Sequence, residues 1–140
     1  MKCLITGITG FLGPHLAKQL LSENHEVYGL LRGTRGSEQE IKDLLTEDEF
    51  KKITFFYGDI IHFRTIDKLF KENTFDKVFH LAAQTHPPTS FKDPIGTWES
   101  NVMGSINLIT CLQDHCGHSV EVVCFNHTMT LESASNVLFQ

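Results

Sequence analysis

The chain has 140 residues, 41% of them hydrophobic and 21% charged. That balance fits one ordinary folded domain; the length leaves no room for a complete two-domain enzyme, and the composition argues against a disordered chain or a fibre. Twelve Lys and Arg against seventeen Asp and Glu give a net charge of −5, which argues against nucleic-acid binding through the phosphate backbone.

No apolar run approaches the roughly 20 residues of a membrane span and the N-terminus carries no signal-peptide pattern, so a cytoplasmic protein without membrane contact is expected. The four cysteines do not suggest a disulfide scaffold. Cys3, Cys111 and Cys124 lie in apolar runs and read as buried, reduced thiols. Cys111, His115, Cys116 and His118 crowd near a helix end, but their spacing matches no tetrahedral zinc pattern, so no metal is expected there.

In chain order, Lys2 to Thr6 is a short apolar run that meets glycines at once, and Phe11 to Leu21 places Leu12, Leu16 and Leu20 on one helical face. Glu26 to Leu31 reads as a second strand, and Glu38 to Phe50 returns to helical spacing through Ile41, Leu44 and Leu45. Ile53 to Tyr57 gives a third strand, Thr65 to Lys71 a short helix and Lys77 to Leu81 a fourth strand. Pro87, Pro88 and Pro94 predict a loop. A long helix from about Ile95 to Cys116 follows from Ile95, Trp98, Val102, Ile106, Ile109 and Leu112, which recur every three or four residues. Val120 to Phe125 closes the series as strand five.

Five strands alternating with helices predict an α/β fold, a doubly wound parallel sheet of the Rossmann type. Residues 1–125 form this domain. Residues 126–140 are a divergent tail, excluded from the fold argument. Its Val137-Leu138-Phe139-Gln140 ending looks like the left half of a picornaviral 3C-protease site, either an added sequence or an alternative natural end.

Between the first strand and the first helix lies Thr6-Gly7-Ile8-Thr9-Gly10-Phe11-Leu12-Gly13. The first glycine permits a tight turn, the second lets backbone approach a pyrophosphate, and the third allows the helix to pack closely on the strand. The helix N-terminus beyond it offers N–H groups and a partial positive charge to an anion. The tip of the second strand reads Leu30-Leu31-Arg32-Gly33-Thr34-Arg35. An NAD site usually places an acid there for the ribose 2′-hydroxyl. Two arginines suit the 2′-phosphate of NADP, so NADP is expected and NAD is less favoured.

With these residues in place, the chain resembles the extended short-chain dehydrogenase/reductase family, the nucleotide-sugar epimerases and dehydratases. Besides the glycine turn, Tyr57-Gly58-Asp59-Ile60, His80-Leu81-Ala82-Ala83-Gln84-Thr85-His86 and Asn101-Val102-Met103-Gly104-Ser105-Ile106-Asn107-Leu108 carry the resemblance. It runs from residue 1 to about 125, well under half of a usual family member, so the sheet is expected to be cut off after about five strands. The Leu31-Arg32 tip and the Ala82-to-His86 stretch are most similar to the GDP-mannose 4,6-dehydratase branch, which uses NADP.

The resemblance implies that Gly7, Ile8, Thr9, Gly10, Phe11, Leu12 and Gly13 wrap the pyrophosphate and that Arg32 and Arg35 meet the 2′-phosphate. It places Asp59 and Ile60 at the adenine edge, Leu81, Ala82, Ala83, Gln84 and Thr85 along the ribose and nicotinamide, and Asn101 as a structural or cofactor contact. From the residues alone, Asp59 reads equally as a turn former, Asn101 as a buried amide and the alanines as close packing.

The implied reaction oxidises a nucleotide sugar at C4, eliminates water across C5 and C6, and reduces C6. The implied partners are a nucleotide-sugar substrate, once a substrate domain is present, and a second copy or a full-length subunit. The chain also departs from the family, because its only tyrosines, Tyr28 and Tyr57, are followed four places later by Arg32 and Ile61. No Tyr-x-x-x-Lys occurs, and Thr128 is the one candidate for a catalytic hydroxyl. The 140 residues are therefore expected to be inactive on their own. A non-catalytic NADP(H)-binding or partner-binding module, and an NAD-dependent 4-epimerase fragment, are the alternatives.

Overall fold

The computed structural model describes residues 1–33, 38–116 and 120–124. Five strands, β1 (Lys2–Thr6), β2 (Glu26–Leu31), β3 (Ile53–Tyr57), β4 (Lys77–His80) and β5 (Glu121–Cys124), form one sheet in the order β3-β2-β1-β4-β5. Every neighbouring pair is parallel. Parallel neighbours need crossovers. These are α1 (Gly13–Ser22), the short α2 (Gln39–Lys42) and α3 (Glu47–Lys51), then α4 (Phe63–Glu72), and finally α5 (Pro87–Lys92) followed by a rod made of α6 (Pro94–Trp98), a π-helical turn (Glu99–Met103) and α7 (Gly104–Cys116).

Successive strand residues point to opposite faces, and both faces are covered. Cys3 and Ile5 join Val27, Leu31, Ile53 and Phe79 in a core with Ala17 and Leu20 of α1 and Ile41 of α2. Leu4 joins Leu30 and Val78 in a second core with Ile66, Leu69 and Phe70 of α4 and Leu108, Cys111 and Leu112 of α7. Phe75, 1% exposed, closes this second layer. Its ring meets Tyr28 and Phe70 edge-on at centroid distances of 5.4 and 5.5 Å.

Several helices differ from the expectation. The helix expected over Glu38 to Phe50 is two short ones, because Thr46 and Glu49 form a capping box that starts a new helix: the Thr46 N–H donates to the Glu49 carboxylate at 2.8 Å and the Glu49 N–H to Thr46 Oγ1 at 3.3 Å. The prolines expected to make a loop instead stand in the first turns of α5 and α6. A first-turn position needs no N–H from its proline. α1 begins at Gly13, so Leu12 is its half-exposed N-cap and the buried face is Gly13, Pro14, Ala17 and Leu20.

The rod from Pro94 to Cys116 is helical as the periodicity predicts, but it buries another face. Ile95, Trp98 and Ile106 are exposed at 72%, 61% and 47%. The residues turned inward are Asn101, Gly104, Asn107, Leu108, Cys111 and Leu112. The π-turn shifts the helical register in mid-rod, and two asparagines carry the inner face where an apolar count looks for leucines. Asn107 Nδ2 donates to the carbonyls of Ile60 and Ile61 at 3.0 and 2.9 Å, which pins the rod to the loop after β3.

One polar seam crosses the interior. His80, 3% exposed, has Nδ1 2.7 Å from Thr6 Oγ1 and Nε2 2.9 Å from Ser105 Oγ. Burial disfavours the charged imidazole and pulls its pKa from 6.5 down to about 4. At the crowded helix end His115 Nε2 pairs with Asp67 Oδ1 at 2.8 Å and Cys111 is buried, while His118 lies outside the described residues; among the described residues no three His, Cys, Asp or Glu side chains are placed to hold a metal. No helix among them is long and apolar enough to cross a membrane.

Two stability measurements follow. Phe75→Ala is expected to cost about 3–5 kcal/mol, against less than about 0.5 kcal/mol for Phe91→Ala at a position 87% exposed; urea unfolding of both variants checks the contrast. The second concerns pH. Below about 6.5 the unfolded chain protonates His80 while the folded chain does not until about 4. The stabilisation is therefore complete above 6.5 and is lost as pH falls from 6.5 to 4, by up to about 1.4 kcal/mol per unit. Unfolding midpoints at several pH values across this window check it, and a flat profile would contradict a buried neutral His80.

Candidate functional site

The topology reverses between β1 and β4: from β1 the chain proceeds outward to β2 and β3, and from β4 outward to β5 on the other side. Open α/β sheets bind ligands at such a switch point, beyond the carboxyl ends of the strands. Here the chain continues each ladder by one bond before diverging. Gly7 N donates to Leu30 O at 3.1 Å, Gly58 N to Leu31 O at 2.9 Å and Leu81 N to Thr6 O at 3.1 Å. Past these bonds a cleft opens, with about 650 Å³ of space counted out to its solvent-exposed mouth.

The turn after β1 forms one wall. Gly7 has φ +69°, the left-handed region that costs glycine little, and a Cβ there would lie only 2.7–2.9 Å from the backbone of Leu81 and Ala82. At Gly13 a Cβ would overlap the Ile8 carbonyl, so glycine lets α1 begin directly under the turn. Gly10 is different. A Cβ there would meet only the Gly7 carbonyl oxygen, at 3.2 Å, so this part of the wall is bare backbone open to a ligand.

α1 has no side-chain cap and no acidic residue in its first turn, so nothing local neutralises the partial positive charge of its N-terminus. Exposed Arg32 adds a full positive charge at the rim and makes no ion pair among the described residues. Asp59 also lines the cleft, its Oδ1 accepting from Ile61 N at 3.1 Å in an Asx-turn. Bare backbone, a helix N-terminus and an arginine on a partly apolar floor suit a phosphate-bearing dinucleotide.

Of the residues singled out from sequence, the cleft brings together Gly7, Thr9, Gly10, Arg32, Asp59, Ile60, Leu81, Ala82 and Ala83. Ile8 is fully buried and packs its side chain over Gly29, so it serves the turn from beneath. Phe11, 92% exposed, and Leu12 lie outside the cleft lining. Gln84, Thr85 and Asn101 are also outside it, yet Asn101 holds the wall: its Oδ1 accepts from Gln84 N at 2.6 Å and its Nδ2 donates to Gln84 O at 3.1 Å. Arg35 and Thr128 lie outside the described residues.

Sequence reasoning missed Leu30, Leu31, Gly58 and Ser100, which complete the lining. Gly58 was legible as the residue before Asp59. Ser100 was not, because only the π-turn carries it round to the cleft.

Comparison with known proteins agrees with this geometry. The family model for GDP-mannose 4,6 dehydratase matches residues 4–133. The GDP-mannose 4,6-dehydratase of Sordaria araneosa is 36% identical over 112 residues, 80% of this chain and 20% of that protein. The GDP-mannose 4,6-dehydratase of Vibrio cholerae is 31% identical, over 80% of this chain and 31% of its own length. Among solved structures, Thermus thermophilus UDP-glucose 4-epimerase in complex with NAD superposes with a TM-score of 0.67 at 28% identity, covering 82% of this chain and 34% of that one. The chain thus spans between a fifth and about a third of the length of these proteins. With its five-stranded Rossmann-type sheet, glycine turn and family match over nearly its whole length, this chain belongs to the GDP-mannose 4,6-dehydratase family of nucleotide-sugar dehydratases and epimerases.

Proposed function

We propose that these 140 residues are the nicotinamide-dinucleotide-binding part of an NADP-dependent nucleotide-sugar 4,6-dehydratase of the GDP-mannose type. The observation that carries this reading is the cleft lining, where the backbone of Gly7, Thr9 and Gly10 shares one opening with exposed Arg32 and the tip of β2 offers no carboxylate. In this reading the backbone of Gly7 to Gly10 and the first turn of α1 hold the pyrophosphate, Arg32 with Arg35 grips a 2′-phosphate, Asp59 and Ile60 bound the adenine, and Leu81 to Ala83 line the ribose and nicotinamide. A nicotinamide held there would supply the hydride-accepting and hydride-donating chemistry that oxidation at sugar C4 and reduction at C6 require.

The residues present position the cofactor but lack the base that takes the sugar hydroxyl proton, since no Tyr-x-x-x-Lys occurs among them and Thr128 alone cannot replace that pair. We therefore infer binding without turnover by these 140 residues. The second reading is a non-catalytic NADP(H)-binding or partner-binding module that works beside a complete subunit. An NAD-dependent 4-epimerase, like the Thermus thermophilus relative solved with NAD, requires Arg32 to play no part at the ribose.

Calorimetric titration of the chain with NADP and with NAD tests the reading. NADP is expected to bind more tightly, and the double change Arg32→Ala and Arg35→Ala to weaken NADP by roughly ten- to a hundredfold while leaving NAD nearly unaltered, as loss of charge-assisted bonds to one phosphate predicts. Binding of neither dinucleotide would overturn it. GDP-mannose incubated with the chain and NADP is expected to stay unchanged; a 4-keto-6-deoxy product would refute the inference of binding without turnover.

A further inference from the structure

The hydrogen bonds around His80 can be given directions, and the directions leave one solution. Ser105 Oγ lies 2.7 Å from the Asn101 carbonyl, an atom that only accepts, so the single hydroxyl proton of Ser105 is committed there. Toward His80 Nε2, 2.9 Å away, Ser105 Oγ must then accept, which puts the imidazole proton on Nε2. Nδ1 is left bare and takes the hydroxyl proton of Thr6 at 2.7 Å. Thr6 Oγ1 in turn accepts from the Ala82 N–H at 3.3 Å. The opposite tautomer leaves the Thr6 hydroxyl with no acceptor among the described residues and one buried bond unmade.

The result is a single-direction chain from the Ala82 amide through Thr6, His80 and Ser105 to the Asn101 carbonyl. The Asn101 side chain closes it into a ring by taking both backbone groups of Gln84. Everything enclosed is the segment from Leu81 to Gln84, whose first three residues line the cleft. Each bond polarises the next in the same sense, so the ring acts as one unit. Its anchors lie on three separate elements, β1, β4 and the rod at the π-turn.

We propose that His80, a buried residue that does not line the cleft, is a positioning residue: as a neutral Nε2–H imidazole it locks the wall from Leu81 to Ala83 against both the glycine turn and the π-turn. For ligand binding the role rests on the dinucleotide reading above; for the wall itself it does not.

The test uses the whole 140-residue chain without ligand. Nitrogen chemical shifts of His80 at neutral pH are expected to show a protonated Nε2 and a bare Nδ1, and the Ala82 and Gln84 amides to be protected from hydrogen exchange. Ser105→Ala is expected to speed exchange at both amides at least tenfold, and Ser105→Thr, which keeps the hydroxyl, to restore wild-type rates. Thr6→Val, nearly isosteric, supplies the same readout from the other end. A protonated Nδ1, or exchange at Ala82 and Gln84 unaltered in both hydroxyl-deleting variants, overturns the proposal. NADP titration of the same samples separates the two readings. A chain with the expected tautomer and protection that binds no dinucleotide overturns the function proposed above and supports the role of His80 in the wall.

Discussion

The close passage of two turns sets the dimensions of the cleft. The turn leaving β1 passes so near the turn leaving β4 that a single Cβ on Gly7 would sit inside the van der Waals envelope of the Leu81 and Ala82 backbone. Only a residue that tolerates φ +69° and carries no side chain permits that passage. Once it is made, Thr6 is within reach of both Leu81 and Ala82, through its carbonyl and its hydroxyl. Gly13 repeats the logic one step later and lets the start of α1 rest on the Ile8 carbonyl, directly after the turn whose Gly7, Thr9 and Gly10 line the opening.

The other wall is held by amides more than by apolar packing. Asn107 takes two carbonyls of the loop after β3, and Asn101 takes both backbone groups of Gln84 after β4. The rod is thereby indexed against two loops at once. Among the described residues no buried side-chain nitrogen or oxygen lacks a partner, so these polar contacts carry no desolvation debt and fix orientation in a way that interchangeable aliphatic contacts do not.

This also explains what could be read from the sequence. The strands were legible to within a residue because each is a short apolar run between turn residues, and the glycine turn was legible because its chemistry is carried by consecutive positions. Six of the nine cleft residues recovered follow β1 or β4 directly. The inner face of the rod was only partly legible: Leu112 and a buried Asn101 could be read, whereas Gly104 and Asn107 look like surface residues until the loop after β3 that they meet is in place. The same holds for Ser100, which reaches the cleft through a π-turn that no periodicity announces. The prolines that open α5 and α6 misled for a simpler reason: a helix breaker in the interior is a helix starter at the first turn.

The thiols distribute themselves over the two layers of the fold in a useful way. Cys3 belongs to the core beneath α1, Cys111 to the core beneath α4 and α7, and both are fully buried. Burial raises both pKa values, that of Cys111 to about 11, so both side chains stay protonated thiols at neutral pH while folded. Alkylation at either position must therefore wait for its own layer to part from the sheet. The protein carries two internal clocks, one on each side of the sheet, and comparing their labelling rates reveals which helical layer lifts away first.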